Sequence, residues 1–196
     1  MADGIDLLSV VKALQPSVLI GTSGQADAFS EAIVRAMASG CDQPAIFPFS
    51  NPTSKCEATP ENILRWTEGR ALVATGSPFA PVEVNGSRIN IGQSNNVYVF
   101  PGVGLGCLVA EAREVTDSMF TIAAEAVANT VSEEFLQSGT LFPPLSELRD
   151  ITHKIAVAVV KETNRLDLGN NISDDGISEA VKAMMWFPDY PEVEAV

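Results

Sequence analysis

The sequence predicts an α/β protein built on a doubly wound parallel sheet, followed by a helical carboxyl-terminal part. Three observations carry that prediction. Short apolar runs recur three times between Ser17 and Thr75, and each ends in a loop of Gly, Ser, Asn or Pro. Stretches of helical periodicity separate them, which is the strand–loop–helix alternation of a parallel sheet. After Gly92 the alternation ceases and helical patterns alone remain.

The elements follow in order. Leu7–Leu14 reads as a helix closed by Pro16, and Ser17–Ile20 as a buried parallel strand with Gly21-Thr22-Ser23-Gly24 as the loop at its end. Ser30 is placed to cap a helix over Glu31–Ala38, with Ile33, Val34 and Met37 on one face and Gly40 as its stop. Ala45–Phe47 is the second strand, interrupted at Pro48. Thr59 caps a helix over Pro60–Thr67, with proline at the favoured first position and Glu61 at the positive end of the dipole. Ala71–Thr75 is the third strand and ends at Gly76-Ser77-Pro78. Val103–Ala112, Asp117–Val131 with Asp117 as N-cap, Ser146–Asn164 and Ile177–Trp186 read as helices. Ile151, Ile155, Ala158 and Val159 give the third of these an apolar stripe. Phe187–Val196 reads as a loose end. The chain is thus expected to be one domain, with an α/β part over 1–100, a helical part over 101–187 and a tail over 188–196.

Composition narrows the function. With 46% hydrophobic and 19% charged residues in 196, the chain has the make-up of a soluble globular domain. A net charge of −13 repels phosphate backbones and anionic lipid, so neither nucleic acid nor a membrane surface is an expected partner. Cys41, Cys56 and Cys107 are scattered and odd in number, which argues for reduced thiols over a disulfide framework. No apolar run is long enough to span a bilayer, and the amino terminus lacks a signal-peptide pattern. A cytoplasmic setting is expected, with an organelle as the alternative if a presequence lies upstream.

Ligands of doubly wound sheets bind outside the carboxyl ends of the strands. The loops Gly21–Gly24, Ser50–Thr53 and Gly76–Pro78 are therefore expected on one rim. Asn51 there offers an amide donor and a carbonyl acceptor, although Asn-Pro is also ordinary turn chemistry. Asn95 and Asn96 precede the apolar run Val97–Phe100, and their amides need partners, either a ligand or local backbone. Gly102-x-Gly104-x-Gly106 does not follow a clear strand, so close helix packing explains it better than a dinucleotide loop. His153 lies mid-helix, far in sequence from any nucleophile. These residues reveal neither an acid–base pair nor a set of metal ligands, so no catalytic residue is assigned.

Three segments together resemble the malic enzymes of the long type. They are Val18-Leu-Ile-Gly-Thr-Ser-Gly24, Phe49-Ser-Asn-Pro-Thr-Ser-Lys55 and Gly92-Gln-Ser-Asn-Asn-Val-Tyr-Val-Phe-Pro-Gly-Val-Gly-Leu-Gly106. Trp66-Thr-Glu-Gly-Arg70, Ala74-Thr-Gly-Ser-Pro-Phe79 and Leu141-Phe-Pro-Pro144 extend the match. The resemblance implies a Rossmann-like nucleotide-binding domain, incomplete at its amino-terminal side. It also implies oxidation of L-malate with NAD or NADP and release of pyruvate and carbon dioxide. Asn51, Asn95 and Asn96 would then contact malate, and Gly21, Thr22, Ser23, Gly24, Ser50, Asn51 and Asn95 the cofactor. Ser94 stands where the family has a glycine. The family's proton-transferring Tyr and Lys, its carboxylate ligands for Mg or Mn and its pyrophosphate loop find no counterpart in residues 1–196. The expected partners are accordingly an upstream half or a complementing chain, and further copies in a homo-oligomer. The alternative is a non-catalytic nucleotide-binding or regulatory module of the same fold.

Overall fold

A computed structural model describes residues 4–189. They divide into two compact units, one of residues 4–95 with Thr130–Leu145, the other of 96–129 with 146–189. The helical part expected as one run from 101 to 187 is therefore interrupted, because the chain returns to the first unit over Thr130–Leu145.

In the first unit, α1 (Leu7–Leu14) is capped by Asp6, whose carboxylate accepts from Ser9 N–H. It precedes β1 (Val18–Gly21), α2 (Glu31–Gly40), β2 (Ala45–Pro48), α3 (Pro60–Trp66) and β3 (Leu72–Thr75). Thr59 caps α3 as expected by accepting from Asn62 N–H, and proline opens the helix. Ser30 occupies the N-cap of α2 without making a side-chain cap bond. An antiparallel hairpin of β4 (Val82–Val84) and β5 (Ser87–Ile89) follows, then β6 (Gly92–Gln93). The sheet runs β1-β2-β3-β6, and each neighbouring pair is parallel.

Register decides which side chains are covered. Leu19, Ile46 and Val73 align across three strands. They share one core with Val11 of α1, Ile33, Val34 and Met37 of α2, and Ile63 and Leu64 of α3. The alternate residues of β1 point the other way, and Val18 and Ile20 remain 49% and 56% exposed. β1 is thus an edge strand with one uncovered face, in contrast to the buried strand its composition suggested.

The second unit contains α4 (Phe100–Val109), α5 (Asp117–Ala128), α7 (Leu148–Leu166) and α8 (Ile177–Met184); the short α6 (Glu133–Gln137) belongs to the first unit. α4 begins three residues before the expected Val103, because Pro101 sits in its first turn, where a missing N–H costs nothing. The start of the apolar run Val97–Phe100 lies in a 3-10 turn, Asn96–Tyr98. Thr116, not Asp117, is the N-cap of α5. The buried stripe of α7 runs through Ile151, Ile155, Ala156, Val159 and Val160, while Ala158 is only half-buried. α7 also ends two residues later than expected, and α8 two residues earlier. The expected tail falls largely on residues 190–196, outside the described residues.

Candidate functional site

The rim is organised by a residue that sequence reasoning did not single out. Glu57, between β2 and α3, is fully buried. Its Oε1 accepts from Ser23 N–H at 2.8 Å, from the Ser23 hydroxyl at 2.8 Å and from the Ser50 hydroxyl at 2.5 Å. Ser50 N–H donates to Oε2 at 3.4 Å. Burial pushes the Glu57 carboxyl up, but the bonds from Ser50 and Ser23 outweigh it and hold the group below the ordinary carboxylate range. The chain folds this way because Gly21 leaves room. A Cβ there would stand 2.6 Å from Cδ of Glu57 and 2.7 Å from Phe29. Main-chain bonds reinforce the arrangement, with Phe29 N–H donating to Glu57 O at 2.9 Å and Asp27 N–H to Cys56 O at 3.2 Å.

The network spreads from there. Gly24 N–H donates to the Ser50 hydroxyl at 2.9 Å, tying the loop after β1 to the loop after β2. The Asn51 amide donates to Phe49 O at 3.3 Å and its Oδ1 accepts from the Ser77 hydroxyl at 2.5 Å, tying the second loop to the third. Phe49 O only accepts, so the bond to it fixes which way the amide faces. Any Cβ at Gly76 would collide with that same carbonyl. Thr75 donates to Ser77 O at 2.8 Å, and Gln93 from β6 donates to Gly76 O at 3.1 Å.

The three loops predicted to share a rim therefore do share one. Gly21 and Ser50 are buried beneath it, while Thr22, Ser23, Gly24 and Asn51 are exposed on it. An exposed lip of backbone and amide over a layer of satisfied polar groups suits a polar ligand, because the donors are fixed before it arrives. Asn51 is committed through one N–H and its carbonyl, which leaves its second N–H for a ligand. Asn95 ends the first unit and is half-buried, and Asn96 opens the second and is exposed. Asn96 starts the 3-10 turn, its carbonyl accepting from Val99 N–H at 3.0 Å. Of the expected site, Gly21–Gly24, Ser50 and Asn51 come together within the first unit.

The cysteines are free thiols. Nε2 of His153 lies 3.2 Å from the Ser178 hydroxyl, a bond between α7 and α8 that gives it a structural place. Among the described residues, no helix is long and apolar enough to cross a membrane. Among the same residues, no group of three or more His, Cys, Asp or Glu side chains could hold a metal ion. Glu57 was missed because one Glu among 25 acidic residues carries no local signal. A carboxylate that follows an Asn-Pro loop at a strand end is the only hint its position offers.

Comparison with known proteins gives the family. The family model described as the NAD-binding domain of malic enzyme matches residues 1–164. The chain is 47% identical over 188 residues to the NAD-dependent malic enzyme of Pseudomonas aeruginosa strain UCBPP-PA14, covering 96% of this chain and 33% of that protein. It is 45% identical over 193 residues to NAD-dependent malic enzyme 3 of Bacillus subtilis strain 168, covering 98% and 34%. The crystal structure of malic enzyme from Pyrococcus horikoshii shares the fold, with a TM-score of 0.69 at 24% identity over 91% of this chain and 36% of that one. The chain spans about a third of the length of these relatives. On the family match and these identities, the chain belongs to the malic enzyme family, and the part it represents is the NAD-binding domain.

Proposed function

We propose that this chain supplies the nucleotide- and malate-facing rim for oxidative decarboxylation of L-malate to pyruvate and carbon dioxide, with NAD as hydride acceptor. The observation that supports it best is the joined rim, in which three strand-end loops are locked together and present Thr22–Gly24 and Asn51 outward. In this reading the Thr22–Gly24 backbone lies along the nicotinamide and its ribose. The remaining N–H of Asn51 donates to a malate carboxylate or the nicotinamide carboxamide. Bound NAD supplies the acceptor carbon for the hydride, and the residues named here bind and orient. Asn95 and Asn96 carry the same role, and that part of the proposal rests on the Gln93-Ser94-Asn95-Asn96 motif. NADP is the less favoured cofactor, since the relatives compared are named for NAD.

The proton shuttle and the Mg or Mn ligands are assigned to sequence this chain does not contain, so no step here is routed through a metal. The exposed edge at β1 is where we place either the complementing half or a second copy in a homo-oligomer. A reducing cytoplasm fits the free thiols.

The test is complementation. The chain alone should not reduce NAD or NADP with L-malate and Mn²⁺. Mixed with the amino-terminal portion of a relative, it should. In that assembly Asn96→Ala should lower kcat/KM for malate roughly ten- to a hundredfold, the loss of one hydrogen bond to a charged group. Its melting temperature should hold, because the Asn96 side chain is exposed. Nucleotide binding with no activity in any mixture would instead make the chain a binding module.

A further inference from the structure

The proposed function gives ligand-facing work to Thr22–Gly24 and Asn51 and none to Glu57, the group that holds them. A fully buried carboxylate keeps its charge only where donors replace water. Such charges usually lie beside a cation, yet among the described residues no ion pair involves Glu57. Its partners are neutral donors from two loops, the N–H and O–H of Ser23 after β1 and those of Ser50 after β2. Three of these four bonds converge on Oε1, so one atom sets the spacing of the two loops.

The order passes outward along the loop. The Ser23 hydroxyl accepts from Gln25 N–H at 3.1 Å, and the Ser50 hydroxyl accepts from Gly24 N–H at 2.9 Å. The backbone of Ser23 and of the two residues after it is thereby referred to the same carboxylate. Gly24 is held at φ +67°, in the left-handed region where an alanine would be strained. An exposed loop of this composition has many conformations to lose on meeting a ligand, and that loss subtracts from affinity. Here the carboxylate has removed them beforehand.

We infer that Glu57 is a positioning residue for the dinucleotide. Its buried charge prefolds Thr22–Gly24, so that the nicotinamide half meets an ordered loop, and Glu57 itself touches no ligand. This rests on the reading of Gly21–Gly24 as the nicotinamide-facing loop. A carboxamide in its place accepts more weakly through its single oxygen, and it turns an NH₂ toward one of the two serines. The loop is then freed while the fold persists.

The experiment measures dissociation constants for NADH and for AMP, which lacks the nicotinamide half, on the full chain and on Glu57→Gln. Circular dichroism fixes a temperature at which both proteins are fully folded. NADH should bind at least about tenfold more weakly to Glu57→Gln, the loss of one charge-assisted bond. AMP should change by less than about twofold on the same scale. Should Glu57→Gln fail to fold, Glu57→Asp keeps the charge but shortens its reach, and the same split is expected of it. Unchanged NADH affinity, or equal losses for NADH and AMP, overturns the inference and leaves the proposed function standing. If AMP does not bind the unmodified chain, the NADH ratio alone decides. If that chain alone binds no NADH at millimolar concentration, the NADH ratio is measured in the complemented assembly, where unchanged affinity overturns the inference and leaves the proposed function standing.

Discussion

The loop Gly21–Gly24 of the first unit and the helix α4 of the second both rely on glycines, and the two regions use them for opposite ends. At Gly21 the missing Cβ admits a polar group, the Glu57 carboxylate, against the main chain. At Gly102 and Gly106 it admits another helix. A Cβ at Gly102 would stand 2.5 Å from Cβ of Ile155, and one at Gly106 would stand 2.7 Å from Cβ of Val159. Gly104, between them, faces nothing within 4 Å. One region clears space to order an exposed loop, and the other to bring α4 and α7 into direct contact. Glycine spacing alone does not distinguish a strand-end loop held on a buried carboxylate from a packing seam. What distinguishes them is whether the segment follows a strand or lies within a helix.

The buried carboxylates of the two units differ in the same way. Glu57 is held by neutral donors, whereas Glu162 on α7 is held by Arg165 through two bonds of 2.7 Å. The Arg165 guanidinium, helped by the Ser118 hydroxyl, brings the Glu162 carboxyl down to about 2.

The largest effect that could break this comparison lies in the seam. Gly102→Ala and Gly106→Ala should each destabilise the chain by about 2–3 kcal/mol in urea unfolding, since the Cβ meets branched side chains and main-chain carbonyls that cannot withdraw. A loss under about 0.5 kcal/mol, the range of ordinary surface changes, would mean that α4 and α7 are not packed this closely.

A middle-sized effect concerns Glu162. Its folded carboxyl lies below the ordinary value of 4.5, so its stabilisation is complete above that value and is lost as pH falls toward about 2. Glu162→Gln should cost ~1–2 kcal/mol at neutral pH, a figure discounted because the Arg165 side chain is 64% exposed. Urea midpoints of the two proteins should converge as pH falls through that window, and the gap at neutral pH should narrow in high salt. A gap insensitive to pH would remove the ion pair from the account.

The smallest effect has the opposite sign. Gly104→Ala should stabilise the chain by about 0.5–1 kcal/mol, because it restores helix propensity in open space. Destabilisation there would show that a third glycine of α4 is also in contact.

Much of this was legible beforehand. The three strands and α1 to α3 announced themselves through apolar runs and through the Thr59-Pro60 start, because these are local signals. The hairpin β4–β5 was legible and went unread. Asn85-Gly86 joins it with both residues at positive φ, 52° and 77°, as an Asn-Gly turn does. β6 was not legible, since two residues carry no pattern and Gly92–Gln93 becomes a strand only by pairing with Ala74–Thr75. The site divided likewise. Loops at strand ends could be named from order alone, whereas Glu57 acquires its role from serines 34 and 7 positions away.

The return of the chain to the first unit bears on how it is made. The backbone at Leu141 and Phe142 lies against Gly92, and Thr140 donates to Asn90 O at 3.4 Å. A nascent chain that has emerged only to Asn95 carries the four parallel strands found among the described residues but lacks the segment that lies against Gly92. That segment arrives after α4 and α5 have been synthesised, so the first unit to begin folding cannot be finished before the second has started. During synthesis the open side of the sheet depends on residues not yet translated, which makes the interval between Gly92 and Leu145 the stretch in which a chaperone would have something to hold.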